Sequence, residues 1–235
     1  MRLKVIACEI LFREISAAAA RSGNQTDVEF LPKGLHDRGA AAMRTRLQAA
    51  VDTVDEARYD AIALGYALCG TGLAGLTARS LPIALPRAHD CITLFLGSKE
   101  RYLEYFQNHP GVYFQTSGWI ERGQDLRQPG LDCSYENLVA KYGEENARYV
   151  WEELTHSYRQ LTFIEMGVEP DNGFERQTRA EALRRGWTYE KVQGDMGIFE
   201  RLLSAQWNPE DFLIVPPGWR VIVRPDGSVI DAEAL

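Results

Sequence analysis

Short apolar, strand-like runs alternate with stretches of helical spacing through the first 110 residues of this 235-residue chain. The strand-like runs cover 3–7, 28–32, 61–66 and 81–85, and helical spacing covers 12–20, 40–57 and 98–107. Such alternation predicts a parallel sheet covered by helices. Cys8, Cys69 and Cys91 each fall just after one of these runs. If the runs before them are neighbouring parallel strands, three thiols meet at the carboxyl edge of one sheet, where open α/β sheets hold ligands.

The stretch from 111 to about 155 breaks the rhythm. It holds an aromatic strand-like run ending in Gly118-Trp119, a loop rich in Gly, Pro and polar residues, and a helix from Tyr135 onward. In that helix Leu138, Tyr142, Tyr149, Val150 and Leu154 fall near one face, a core-packing pattern. Alternation then resumes, with strands at 161–164, 188–192 and 212–215 and helices at 176–185 and 198–205. This reads as a second, shorter copy of the first half. Leu35-His36-Asp37-Arg38-Gly39 aligns with Gln193-Gly194-Asp195-Met196-Gly197, and Glu9 falls near Glu165. The expected architecture is therefore α/β and Rossmann-like. A first lobe occupies 1–110, a helical insertion 111–156 and a second lobe 157–235, whose tail forms a hairpin turning at Arg224-Pro225-Asp226-Gly227.

Composition narrows the function classes. With 26 basic against 33 acidic residues and a net charge of −7, the chain lacks the concentrated Lys/Arg stripe that neutralises phosphates, so nucleic acid is not an expected partner. The first apolar run is interrupted by Glu9, Arg13 and Glu14, and no run approaches the roughly 18 apolar residues of a membrane span. The expectation is a cytoplasmic protein acting on a small molecule. Four cysteines are too sparse for a disulfide framework, which leaves them free, metal-bound or catalytic. Cys133 stands apart from the other three.

Three segments can carry chemistry. Pro86-Arg87-Ala88-His89-Asp90-Cys91 places a guanidinium, an imidazole, a carboxylate and a thiol together after a strand. A neighbouring cation favours the thiolate, the form that binds metal or attacks an electrophile. His89, Asp90 and Arg87 are accordingly the candidates for moving protons or holding a substrate carboxylate. Arg87 and Asp90 could equally pair with each other or cap the next helix. In Gly65-Tyr66-Ala67-Leu68-Cys69-Gly70-Thr71-Gly72 the glycines allow close backbone approach, and Gly70 and Thr71 offer hydrogen-bonding groups to a ligand. It matches neither the dinucleotide nor the phosphate-loop pattern. At Ala7-Cys8-Glu9 the third thiol and a carboxylate open the first helix, while Arg13 and Glu14 read as surface or interlobe ion pairs. Three thiolates suit Zn²⁺ or an iron–sulfur cluster.

At these same residues the chain resembles a prokaryotic family catalogued as domain of unknown function 1638. The shared pattern is Ala7 to Glu14, Gly65 to Gly70, Pro86 to Cys91, and Leu96-Gly97-Ser98-Lys99-Glu100-Arg101-Tyr102. The resemblance implies a cytoplasmic α/β protein whose three motif cysteines share a site. The leading expectation is a metal-dependent enzyme with lyase, dehydratase or methyl-transfer chemistry, holding its metal on Cys8, Cys69 and Cys91. A non-catalytic metal or small-ligand binding or sensing protein is the second. A metal-free enzyme with Cys91 as nucleophile and His89 as base is the third.

Overall fold

The computed structural model describes residues 1–123 and 135–235. The expected parallel sheet forms from β1 (Arg2–Cys8), β2 (Gln25–Leu31), β3 (Ala61–Gly65) and β4 (Ile83–Pro86), in the order β2-β1-β3-β4. All of β3 and β4 is buried. That is why these two strands read as unbroken apolar runs: a central parallel strand is covered on both faces and has no solvent side to alternate with. Helices α1 (Phe12–Arg21) and α2 (Ala40–Asp52) make the crossovers. The second was expected to run to 57 but ends at Asp52, followed by a short turn.

After β4 come α3 (Cys91–Leu96), a helix too short to leave a periodic signal, and α4 (Lys99–Asn108). Asp90 and Ser98 cap them by accepting from the N–H groups of Thr93 and Arg101. Each therefore satisfies one of the orphan donors at a helix start.

A second parallel sheet contains β5 (Val112–Gln115), β6 (Gln160–Glu165) and β7 (Thr188–Gln193), in that order. Its first strand thus comes from the stretch read as an insertion. Gly118 and Trp119 belong to α5 (Ser117–Gly123), which follows β5. The helix expected from Tyr135 is broken at Gly143, φ 77°, into α6 (Tyr135–Tyr142) and α7 (Glu144–Thr155). The break dissolves the single apolar face: Leu138 is buried, but Tyr142 and Tyr149 are exposed.

Between β6 and β7 lies α8 (Gly173–Arg185). The chain then returns to the first sheet. Helix α9 (Gly197–Leu203) packs on α1, β3 and β4, and β8 (Phe212–Val215) joins as an antiparallel edge strand on β4. The strand at 212–215, read as part of the C-terminal lobe, therefore completes the N-terminal sheet. The tail hairpin forms as expected from β9 (Trp219–Val223) and β10 (Ile230–Ala234). No helix of the described residues is long and apolar enough to cross a membrane.

The two sheets meet where their carboxyl ends face one another. A Cβ on Gly118 would lie 1.8 Å from the carbonyl oxygen of Ile10, so α5 reaches the 3₁₀ turn Glu9–Leu11 only because position 118 has no side chain. On the far side, the N–H of Asp195 donates to Phe95 at 2.9 Å, and Arg101 donates to the carbonyls of Leu96 and Gln193. These contacts dock β7 against α3.

Candidate functional site at the carboxyl edge

Because β1, β3 and β4 are parallel neighbours, their last residues deliver Cys8, Cys69 and Cys91 to one edge. Cys8 ends β1, Cys69 lies four residues beyond β3, and Cys91 opens α3. The ladder continues past the strands: the N–H groups of Leu68 and Cys69 donate to the carbonyls of Ala88 and His89, both at 2.9 Å. This holds the Gly65 to Gly72 segment against the Pro86 to Cys91 segment. Cys69 itself has φ 48° and is followed by Gly70 at φ 74°. A left-handed conformation costs a non-glycine residue about 1 kcal/mol or more, and glycine is the easy occupant. A thiol placed there directs attention to its side chain.

The three thiols interact with one another. Burial pushes Cys8 up to about 11, with the charge of Glu9 adding to it. Cys69 rises to about 12, through burial and then the nearby Cys8 and Asp90. Cys91 lies well above its ordinary value, through burial and then Cys69, Asp90 and Cys8. Without a counter-cation, all three are neutral thiols at physiological pH. A nucleophilic Cys91 needs a lowered value instead, so this environment does not support the metal-free enzyme.

Each sulfur nevertheless has a donor turned toward it. The Ile10 N–H faces Cys8, as does the Tyr66 hydroxyl, which has no hydrogen-bond partner of good geometry among the described residues. The Ala67 N–H faces Cys69, and the Trp119 indole N–H faces Cys91. Lys33 adds a positive charge near Cys8, and its amine sits 4.5 Å from the centre of the Trp119 ring. Tyr66, Trp119 and Lys33 escaped the sequence reading. Tyr66 lay in plain view within its glycine-rich motif, whereas Trp119 and Lys33 arrive from elements whose docking has no local signature.

The other candidate residues divide. Glu9 stays at the edge and accepts from the N–H of Lys33 at 2.7 Å. Gly70, Thr71 and His89 lie exposed on the rim. Asp90 is the cap of α3, accepting from the Thr93 N–H at 3.1 Å, and the Tyr102 hydroxyl faces it. Arg87 points away from the thiols. Its guanidinium donates to the carbonyls of Pro209, Phe212, Ser228 and Ile230, tying β4 to the β8 approach and the tail hairpin. Cys133 lies outside the described residues. Among the described residues, no group of three or more His, Cys, Asp and Glu side chains stands in metal-ligating geometry.

Comparison with known families adds one match. A family model described as protein of unknown function, DUF1638, covers residues 30–203. The chain belongs to this family. The matched span takes in Cys69, Cys91, Lys33, Tyr66 and Trp119, while Cys8 precedes it. No curated protein and no solved structure matches the chain.

Proposed function

We propose that Cys8, Cys69 and Cys91 bind a soft or borderline metal, either a zinc ion or an iron–sulfur cluster, in an enzyme acting on a small molecule. The supporting observation is that the sulfurs of buried Cys8 and Cys91 and of half-buried Cys69 lie within one another's electrostatic reach and each has a hydrogen-bond donor turned toward it. Inert core cysteines need no such donors, whereas metal-bound thiolates are tuned by N–H and O–H groups around the sulfur. The donor set also fits in kind, with three sulfurs at its centre and the harder carboxylates of Glu9 and Asp90 engaged elsewhere.

Binding requires the three side chains to turn inward from their present placement and to lose their protons. A dication reverses the electrostatics that now keep the thiols neutral, so loading and deprotonation are one event. Bound with three protein ligands, such a group supplies a Lewis acid with a position open to substrate. Around it, Trp119 and Tyr66 cover the sulfurs, Lys33 offers a positive charge to an anionic substrate, and His89 stands at the rim as proton donor or acceptor. Lyase, dehydratase and methyl-transfer chemistry are the reaction classes in view.

One observation favours the second reading, a non-catalytic binding or sensing protein: Arg87 and Asp90 are engaged in holding the fold. Only His89 of that trio is then left for proton transfer. Elemental analysis and an absorption spectrum of protein purified without oxygen or chelator test the proposal. Iron with sulfide, or zinc near one per chain, supports it, and metal-free protein that takes up neither overturns it. Turnover that is lost with His89→Ala while the metal stays bound separates enzyme from binding protein.

A further inference from the structure

Glu14 lies on the buried face of α1 with no exposed surface, and neither of its carboxylate oxygens has a hydrogen-bond partner among the described residues. A charge in that position is costly unless paired. The pairing goes elsewhere: Arg13, its neighbour, donates to Glu121 of α5, with Nε 3.1 Å from Oε2. Arg13 also reaches the carbonyl of Val168 at 3.4 Å and lies 5.5 Å from the centre of the Phe174 ring. Glu169 accepts from the N–H groups of Met166 and Val168, both at 3.0 Å. Glu14 therefore sits where α1 of the first sheet meets α5 and the 166–174 segment of the second. The charged groups facing it are Arg13 on its own helix, Glu121 on α5 and Glu169 on that segment.

We propose that Glu14 is a proton-operated latch of this seam: protonated, it lets α1, α5 and the 166–174 segment close together, and ionised, it forces them apart. Its carboxyl is raised to about 7, first by burial and then by the Glu169 charge, with Glu121 adding to both and its own N–H and Arg13 opposing. The sign follows. In the open seam the solvated carboxyl loses its proton near its ordinary 4.5, and in the closed seam only near 7. Closure is therefore undisturbed below the lower value, weakens as pH rises between the two, and stays weakened above. Because α5 also carries Trp119 to Cys91, opening uncovers the thiol edge; this consequence rests on that edge being the functional site, whereas the latch does not.

Hydrogen exchange of the metal-free protein tests the latch independently of any metal. Protection of the α5 and 166–169 amides, corrected for intrinsic exchange, should fall on the order of fiftyfold between about pH 5 and about pH 8. Glu14→Gln should abolish that dependence and leave the seam closed. A flat wild-type profile, or the same dependence in the Gln variant, would overturn the proposal. Should Glu14→Gln fail to fold, Glu121→Gln decides: it removes a negative charge that faces Glu14 and the ion pair that occupies Arg13, and should lower the opening midpoint by about one pH unit. An unmoved midpoint refutes the assignment.

Discussion

Replacing Glu14 by Gln should stabilise the protein, and only at neutral to alkaline pH. The carboxyl moves from its ordinary 4.5 to about 7 on folding, and no hydrogen-bond partner among the described residues compensates its burial. At about 1.4 kcal/mol per pH unit, the ionised side chain costs the folded state about 3 kcal/mol above pH 7. Below about pH 4.5 the carboxyl is protonated in folded and unfolded chains alike, and the cost vanishes. Gln keeps the shape and stays neutral, so its advantage should be near zero at about pH 4.5, grow through the interval and level off above about pH 7. Urea unfolding of both proteins at a series of pH values gives the difference directly. Truncation to Ala is less informative because it adds a cavity of its own. A difference that is flat with pH, or a Gln variant less stable than wild type at pH 8, would show that Glu14 carries no uncompensated charge in the fold.

Other contacts of the fold set four further outcomes. Gly118→Ala should cost about 2 kcal/mol and lower the melting temperature by several degrees, because its methyl group meets the Ile10 carbonyl and the seam must give; an unchanged melting curve would show that α5 docks loosely. Arg87→Ala should destabilise the protein by leaving the Pro209, Phe212, Ser228 and Ile230 carbonyls short of a donor. His89→Ala, at an exposed position, should leave the melting curve within about 0.5 kcal/mol of wild type, and equal losses in the two variants would contradict this division. Metal uptake at about pH 7.5 should release about three protons per ion, since the raised thiols begin neutral; calorimetry in buffers of different ionisation enthalpy counts them, and a release near zero would mean that other groups hold the metal.

The first sheet and its three thiols were legible in the sequence because each signal is local. Ala61–Gly65 and Ile83–Pro86 are short runs buried on both faces, and a cysteine follows each along the same edge. The destination of Phe212–Val215 was not legible. Its pairing with β4 spans more than half the chain, and a short apolar strand carries no mark of which sheet it will join. The aromatic run at Val112–Gln115 was seen as strand-like, but its role as the first strand of a second sheet depends on a partner nearly fifty residues later.

The site residues divide for a comparable reason. Proximity in sequence placed Arg87 and Asp90 with Cys91, yet the guanidinium of Arg87 leaves on the side away from the thiols, and Asp90 turns to cap α3. Trp119 and Lys33 join the edge from separate elements, which no spacing rule could anticipate. Arg13 makes the ion pair across the two sheets that its charge suggests. Glu14, expected to do the same, is buried with no hydrogen-bond partner among the described residues, while Arg13 is engaged by Glu121.

Metal stoichiometry in four single variants, purified identically without oxygen or chelator, decides whether Cys8, Cys69 and Cys91 form one metal site. Cys8→Ser, Cys69→Ser and Cys91→Ser should each lose the zinc or iron that wild type holds, while Cys133→Ser keeps it. Full metal in any of the first three variants, or its loss in Cys133→Ser alone, would show that these three thiols do not share a metal.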